Sequence, residues 1–269
     1  MTAAALTCAP AVAQTGAITA TDSLASFRLN AFAGPSTGTG PTTFASSTGA
    51  AGPNYVNQAW WWARVEGMDV REFAVYQSAG VVSNPTPGSI RVDYGVASGR
   101  SLQMLLDFSI QYLGGNAAKL VQTLTFTNRT GAAINNIQFF NYNNINVLGT
   151  AGNDTAIAEG PDTVRFIDGA DPRYVVDYQA YQSNAVSVTT TGSATGVRNT
   201  LTNSSADSLV PGVQSSGPAD LEIGALWNRS VADGQSVTLT VEVTIIPAPG
   251  AIALLGLGGL VALRRRRRR

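Results

Sequence analysis

The chain has 269 residues, enough for one large or two small domains, and only 13% of them are charged. Six of its 17 basic residues are the last six, so residues 1–263 carry 11 basic against 17 acidic side chains, a balance of −6. An acidic body excludes nucleic acid as a partner, because phosphate binding needs a basic surface. The absence of histidine removes His-based triads and the usual catalytic zinc sites.

The chain opens on Met1–Gln14, MTAAALTCAPAVAQ. The apolar run 3–12 followed by the small-x-small triplet Ala11-Val12-Ala13 has the form of a secretory signal cleaved before Gln14. The basic leader of such a signal is missing, so the true start is expected upstream of Met1. The single cysteine, Cys8, falls in the removed segment, so the mature chain is expected to hold together by core packing without disulfides.

From there the hydrophobic period is two rather than 3.6, the signature of half-buried strands. Candidate strands cover 24–32, 55–65, 73–82, 90–96, 102–112, 119–128, 134–147, 163–167, 174–181, 185–190, 221–227 and 237–245. Residues 34–53, rich in Gly, Pro, Ser and Thr, are expected to form a long loop. Turn signals such as Asn84-Pro85-Thr86-Pro87-Gly88 and Asp233-Gly234 separate the strands. A dozen strands with short turns predict an all-β, antiparallel sandwich of jelly-roll type over residues 14–244.

Within this body, Trp60, Trp61 and Trp62 are consecutive, so alternation puts Trp60 and Trp62 on one strand face. Exposed, that pair could stack on sugar rings; otherwise the indoles belong to the core. A second cluster collects oxygen ligands: Asn153, Asp154, Glu159, Asp162, Asp168 and Asp171. Asp154, Asp162 and Asp168 are its candidate calcium ligands, against the plainer reading of acids in solvated turns. No cofactor other than calcium is suggested. The nearby acids Glu66 and Asp69, or Asp168 and Asp171, are the only pairs resembling a glycosidase acid and base, and two acids close in sequence are weak evidence for one.

The C-terminus carries Pro247-Ala248-Pro249-Gly250, an uncharged apolar stretch to Leu263, and then Arg264, Arg265, Arg266, Arg267, Arg268 and Arg269. Residues 245–263 would make a helix of about 28 Å at ~1.5 Å per residue, close to a hydrocarbon core of ~30 Å. The arginines form a membrane stop that stays on the cytoplasmic side. One short C-terminal transmembrane helix is therefore expected, with residues 245–269 as a tail distinct from the body.

The three-part tail resembles the PEP-CTERM sorting signal of Gram-negative bacteria, with Ala248 in place of the glutamate that names the motif. The resemblance covers about the last 25 residues. It implies recognition by an exosortase-like membrane protease, transient residence in the inner membrane, and delivery to the cell surface or extracellular matrix, often alongside extracellular polysaccharide. Lys119–Thr155, KLVQTLTFTNRTGAAINNIQFFNYNNINVLGTAGNDT, is similar to a segment recurring in such exported proteins. The resulting expectation is a structural or adhesive envelope protein without catalytic activity. A carbohydrate- or calcium-binding module is the alternative, and a glycoside-active enzyme the third reading.

Overall fold

In a computed structural model, residues 17–30, 43–46, 53–75, 81–97, 101–115 and 117–247 are described. In chain order the strands are β1 (Ala17–Asp22), β2 (Ala25–Asn30), β3 (Thr43–Ser46), β4 (Asn54–Val65), β5 (Phe73–Ala74) and β6 (Val81–Ser83). Then follow β7 (Ser89–Ala97), β8 (Leu102–Gly114), β9 (Ala117–Asn128), β10 (Ile134–Ile145), β11 (Asp154–Ala158) and β12 (Thr163–Asp168). The last are β13 (Tyr174–Ala180), β14 (Ala185–Thr190), β15 (Gly212–Val213), β16 (Leu221–Val231) and β17 (Ser236–Pro247). One short helix, α1 (Val197–Thr202), lies between β14 and β15.

The strands form two sheets. The first has the order β1-β2-β3-β4-β10-β16-β14-β15, with β5 also paired to β4; the second runs β11-β12-β13-β17-β9-β8-β7-β6. All pairings are antiparallel except β14 with β15. The all-β antiparallel expectation is met, but the jelly roll is not. Successive strands stay hairpin neighbours in one sheet (β1 to β4, β6 to β9, β11 to β13), giving two broad meanders in place of alternation between sheets.

The sheets close on a shared core, because strict alternation gives each strand one apolar face. β9 shows this most cleanly: Ala118, Leu120, Gln122, Leu124 and Phe126 are buried, while the residues alternating with them, from Ala117 to Thr127, are partly exposed. Aromatic rings bridge the layers: Phe27 of the first sheet stacks on Phe108 of the second at 4.9 Å, and Phe139 meets Phe126 edge-on at 5.1 Å. Trp61 and Trp227, both in the first sheet, stack at 5.6 Å.

At the centre of this apolar layer lies a ring of amides. Gln122 Nε2 donates to Asn143 Oδ1 (2.8 Å), Asn143 Nδ2 to Asn141 Oδ1 (2.5 Å), and Asn141 Nδ2 back to Gln122 Oε1 (3.2 Å). The hydroxyl of Tyr178 adds a fourth donor to Asn141 Oδ1 at 2.9 Å. Gln122 and Tyr178 belong to the second sheet and the asparagines to the first, and all four side chains are fully buried.

Several expectations shift. The stretch 73–82 divides between β5 and β6, which lie in different sheets. The presumed loop 34–53 contains β3. The body does not stop at residue 244: β17 continues to Pro247, pairing Ile245, Ile246 and Pro247 with Val176, Val175 and Tyr174 of β13. Ile245 is fully buried in the core, whereas Ile246 is exposed. The first three residues assigned to the tail therefore belong to the sheet. Among the described residues no helix is long and apolar enough to cross a membrane, and residues 248–269 lie outside them.

This boundary has a measurable consequence. Ile245→Ala should lower the unfolding free energy by about 2–4 kcal/mol in urea titrations, the usual range for a buried Ile truncation. Ile246→Ala should cost under about 1 kcal/mol. Equal small losses at both sites would place the end of the domain before Ile245.

Candidate functional site

The outer face of the first sheet is built chiefly by β4, β10 and β16. Register places Arg64 opposite Gln138, Trp62 opposite Phe140, and Trp60 opposite Tyr142. Across the next boundary, Asn144 faces Glu222 and Tyr142 faces Gly224. Because side chains alternate, the residues that fill the amide ring (Asn141, Asn143) force Phe140 and Tyr142 outward. These would be costly in water, and α1 with the segment 203–211 covers them. Phe140, Tyr142, Trp62, Val197, Leu201, Leu209 and Leu226 make a second, smaller core. Gly224 makes room for that cover: a Cβ there would stand 2.5 Å from Val197 Cγ1 and 2.9 Å from Leu209 Cδ1.

Two buried acids fasten the cover. Glu72 pairs with Arg64 (Nη1 to Oε1, 2.6 Å) and accepts the Asp207 amide at 3.0 Å; Arg64 Nη1 also donates to the Asp207 carbonyl at 2.8 Å. Arg64 Nη2 donates to Gln138 Oε1, which locks the guanidinium plane against β10. Burial pushes the Glu72 carboxyl above its ordinary range, partly opposed by its own backbone hydrogen bond and the Arg64 charge.

Glu222, fully buried, accepts hydrogen bonds from Thr189 Oγ1 (2.9 Å), Tyr142 Oη (3.2 Å) and the Arg198 amide (3.3 Å). Burial raises its carboxyl also, and the Thr189, Arg198 and Tyr142 hydrogen bonds pull the other way. Burial likewise raises the Tyr142 hydroxyl, so it stays a proton donor at neutral pH.

A cleft opens on either side of the 203–211 segment. One, about 290 Å³, is lined by Arg64, Glu66, Gly67, Asp69, Asn136, Gln138 and Ala206. Its polar groups are held in place: Asn136 Nδ2 donates to Glu66 Oε2, and Asp69 Oδ2 accepts the Val65 amide at 2.8 Å. The other, about 260 Å³, lies between α1 and the 208–214 stretch and carries Ser187, Thr189, Thr195, Thr200, Ser208 and Gln214 among apolar residues.

The residues singled out from sequence are placed as follows. Trp60 and Trp62 share a face as alternation requires. Trp62 is only 4% exposed, edge-on to Tyr142 at 6.1 Å and roofed by the second core, so it presents no open platform; Trp60 is half-buried beside it. Trp61 is in the main core.

Asp154 and Asp168 are brought opposite each other across β11 and β12, while Asp162 sits in the turn at the far end of that hairpin. The three therefore do not converge, and among the described residues no group of three acids, Cys or His is arranged to hold a metal. Of the two acid pairs, Glu66 and Asp69 both line the first cleft. Asp168 and Asp171 instead close a turn, with the Asp171 amide on Asp168 Oδ1 at 2.7 Å.

Pro247 ends β17. Ala11, Ala13, Gln14, Ala248, Pro249, Gly250 and the arginines Arg264 to Arg269 lie outside the described residues. Arg64, Glu72, Gln138, Tyr142 and Glu222 were not foreseen. The one signal for Glu222 is a lone carboxylate inside the apolar run LEIGALW.

The fold is thus a large two-sheet β-sandwich with a partly covered outer face. No family model matches the chain, and no curated protein does. Solved structures overlap it at low identity. A chain described as "Putative aldose 1-epimerase" from Escherichia coli K12 is 10% identical, with 86% of this chain and 99% of that one covered and a TM-score of 0.48. A polysaccharide lyase is 14% identical, covering 78% and 31%, at 0.45. A "Putative kojibiose phosphorylase" from human microbiome is 10% identical, covering 86% and 27%, at 0.35.

The chain therefore spans about a third or less of the lyase and the phosphorylase. Overlaps of this degree identify neither a ligand nor a reaction for this chain. They do correct one expectation: the overlapping chains carry the names of sugar-active enzymes, so the exclusion of catalysis drawn from missing motifs does not hold.

The Glu222 arrangement predicts a pH effect. A carboxyl raised by folding is destabilising when ionised, so the penalty is absent well below the ordinary carboxylate range and grows as pH rises through and above it. Glu222→Gln keeps an acceptor for Thr189 and the Arg198 amide. It should raise the melting temperature at pH 8 and leave it little changed at pH 4. A loss of stability at pH 8 would show instead that the ionised carboxylate is what holds α1.

Proposed function

We propose that this chain is an exported envelope protein whose β-sandwich binds saccharide in the cleft beside the 203–211 segment. One observation carries the reading of the cleft. Planar polar side chains of both hydrogen-bonding senses (Glu66, Asp69, Asn136 and Gln138) stand together in a concavity of about 290 Å³, with Arg64 locked beneath them. A sugar ring displays hydroxyls that both donate and accept, and carboxylates and amides fixed in advance engage them with little loss of side-chain entropy. The volume is at the lower end of small-ligand sites and suits one or two residues of a glycan.

Export rests on the two chain ends. The resemblance of the tail to a PEP-CTERM signal supports recognition by an exosortase-like membrane protease, brief passage through the inner membrane, and release to the surface or matrix, where polysaccharide is at hand. The fold adds one constraint: with Ile245 to Pro247 committed to β17, the apolar stretch available to a bilayer runs from 248 to 263. Sixteen residues make about 24 Å of helix, short of a ~30 Å core. That supports a transient processing segment over a permanent anchor.

Glycan-array screening of the purified chain, followed by titration of the best hit, tests the cleft. The paired substitution Asn136→Ala with Gln138→Ala should weaken binding about 5- to 30-fold, the loss of one to two hydrogen bonds at the usual ~1 kcal/mol each. Thr195→Ala in the other cleft should leave it unchanged. Mass spectrometry of the protein from its native envelope should find an N-terminus near Gln14 and no residues beyond about Pro249; an intact arginine tail on the abundant form would refute the processing.

A further inference from the structure

At one corner of the sandwich three acids meet from three directions: Asp154 opens β11, Asp168 closes β12, and Asp220 precedes β16. Asp154 and Asp168 face each other across the ladder, and the backbone of Asp154 also pairs with Ala219, which brings Asp220 alongside. Asp154 is fully buried and Asp168 is 1% exposed.

Among the described residues, every donor that reaches these carboxylates is neutral. The Val147 amide donates to Asp154 Oδ2 at 3.3 Å; Thr150 Oγ1, Ala170 N and Asp171 N serve Asp168; Asn144 Nδ2 serves Asp220 at 3.1 Å. Among the described residues no arginine or lysine pairs with any of the three. Among the described residues, Asp154 Oδ1 is buried without a hydrogen-bond partner.

We propose that this corner binds a calcium ion, with Asp154 Oδ1 as its anchoring ligand. A buried carboxylate oxygen without a donor is expensive; a carboxyl that gives up its proton there needs a cation to answer both the empty lone pairs and the negative charge. The chemistry around it selects the ion. The groups at hand are carboxylate, amide and hydroxyl oxygens with no sulfur or imidazole, which suits a hard cation.

The acids do not close into a compact three-carboxylate cage. Asp154 and Asp168 would be supplemented by neutral oxygens such as Thr150 Oγ1, which already touches Asp168 Oδ2, and by water. Calcium accepts such irregular, larger shells, whereas magnesium requires a tight octahedron. Burial first, and then the charges of Asp168 and Asp220, push the Asp154 carboxyl up to about 8, as expected of an acid that lacks a counter-charge. The ion would pin the β11–β12 hairpin to the start of β16, at the edge of the second sheet.

Equilibrium dialysis and thermal melts of the full chain decide this. About one calcium per chain should bind, half-saturating between about 10 µM and 1 mM, the range from sensor sites to extracellular modules. Melting temperature should rise by several degrees in 10 mM calcium and much less in magnesium. Asp154→Asn should lose both effects; Asp154→Ser, which keeps an oxygen for the Val147 amide, serves if the first variant does not fold. Asp162→Asn, at the far end of the hairpin, should keep both. No calcium bound by the wild type at 10 mM, or binding undiminished in the Asp154 variant that folds, would overturn the proposal.

Discussion

The ring of Gln122, Asn141, Asn143 and Tyr178 is the interaction on which the geometry of this sandwich depends. A fully buried amide that loses a partner costs on the order of 1–3 kcal/mol, so a ring with several such contacts tolerates little displacement. It joins β10 of one sheet to β9 and β13 of the other. Apolar packing alone would allow sheets to slide; matched donors and acceptors do not. The ring therefore fixes both the spacing of the layers and the side-chain register of β10.

That register decides what the outer face becomes. Shifting β10 by one residue would turn Phe140 and Tyr142 inward and put the asparagines on the surface. With the ring in place the aromatics must face out, and the fold then has to cover them. It does so with a six-residue helix too short to be stable alone, held by its apolar contacts and by Glu222. The Arg64–Glu72 pair ties the following segment at Asp207. The two clefts exist because this cover is narrower than the sheet beneath it. Site geometry thus descends from the interior: amide ring, strand register, aromatic face, cover, and the gaps the cover leaves.

Much of the framework was legible in the sequence, and the reason is periodicity. β8, β9 and β17 alternate almost without exception, because one face is dry and one wet. β10 was found as a strand, but its faces could not be assigned. Its run FFNYNNIN places polar and apolar groups on both sides, which happens only where one face bears a buried polar network and the other a second core. β1, β3, β11 and the two-residue β15 have no counterpart among the strands expected from sequence: β1 lies beside the expected signal segment, β3 inside a Gly- and Thr-rich stretch, and β11 in an acid-rich stretch. The tail boundary was drawn three residues early because Ile245-Ile246-Pro247 is apolar enough to be claimed by either the sheet or a bilayer. Of the acids that composition groups together, Asp154 and Asp168 stand opposite each other across β11 and β12, while Asp162 does not join them, since sequence proximity ignores that a hairpin sends its turn to the opposite end. Arg64 and Gln138 have no local signature, and Glu222 has only its lone charge in an apolar run, for their roles depend on strands far apart in the chain.

The buried acids show how differently one problem can be met. Glu72 meets the cost of desolvation with a guanidinium and a backbone amide, and in doing so fixes a loop. Glu222 has no cation within hydrogen-bonding reach and relies on two hydroxyls and one amide, so its carboxyl is raised yet every oxygen has a donor. Both solutions are complete within the chain. Asp154 differs: among the described residues one oxygen has a single long hydrogen bond and the other none, and the charges that act on it are two more carboxylates. An arrangement that folding alone leaves unbalanced, in a chain that elsewhere pairs its buried acids carefully, is what a site completed by something outside the chain looks like. The same reasoning separates the two kinds of site on this molecule. The cleft lined by Gln138 and Asn136 is satisfied internally and would offer a ligand its remaining hydrogen bonds, whereas the ion proposed at the Asp154 corner would serve the fold itself.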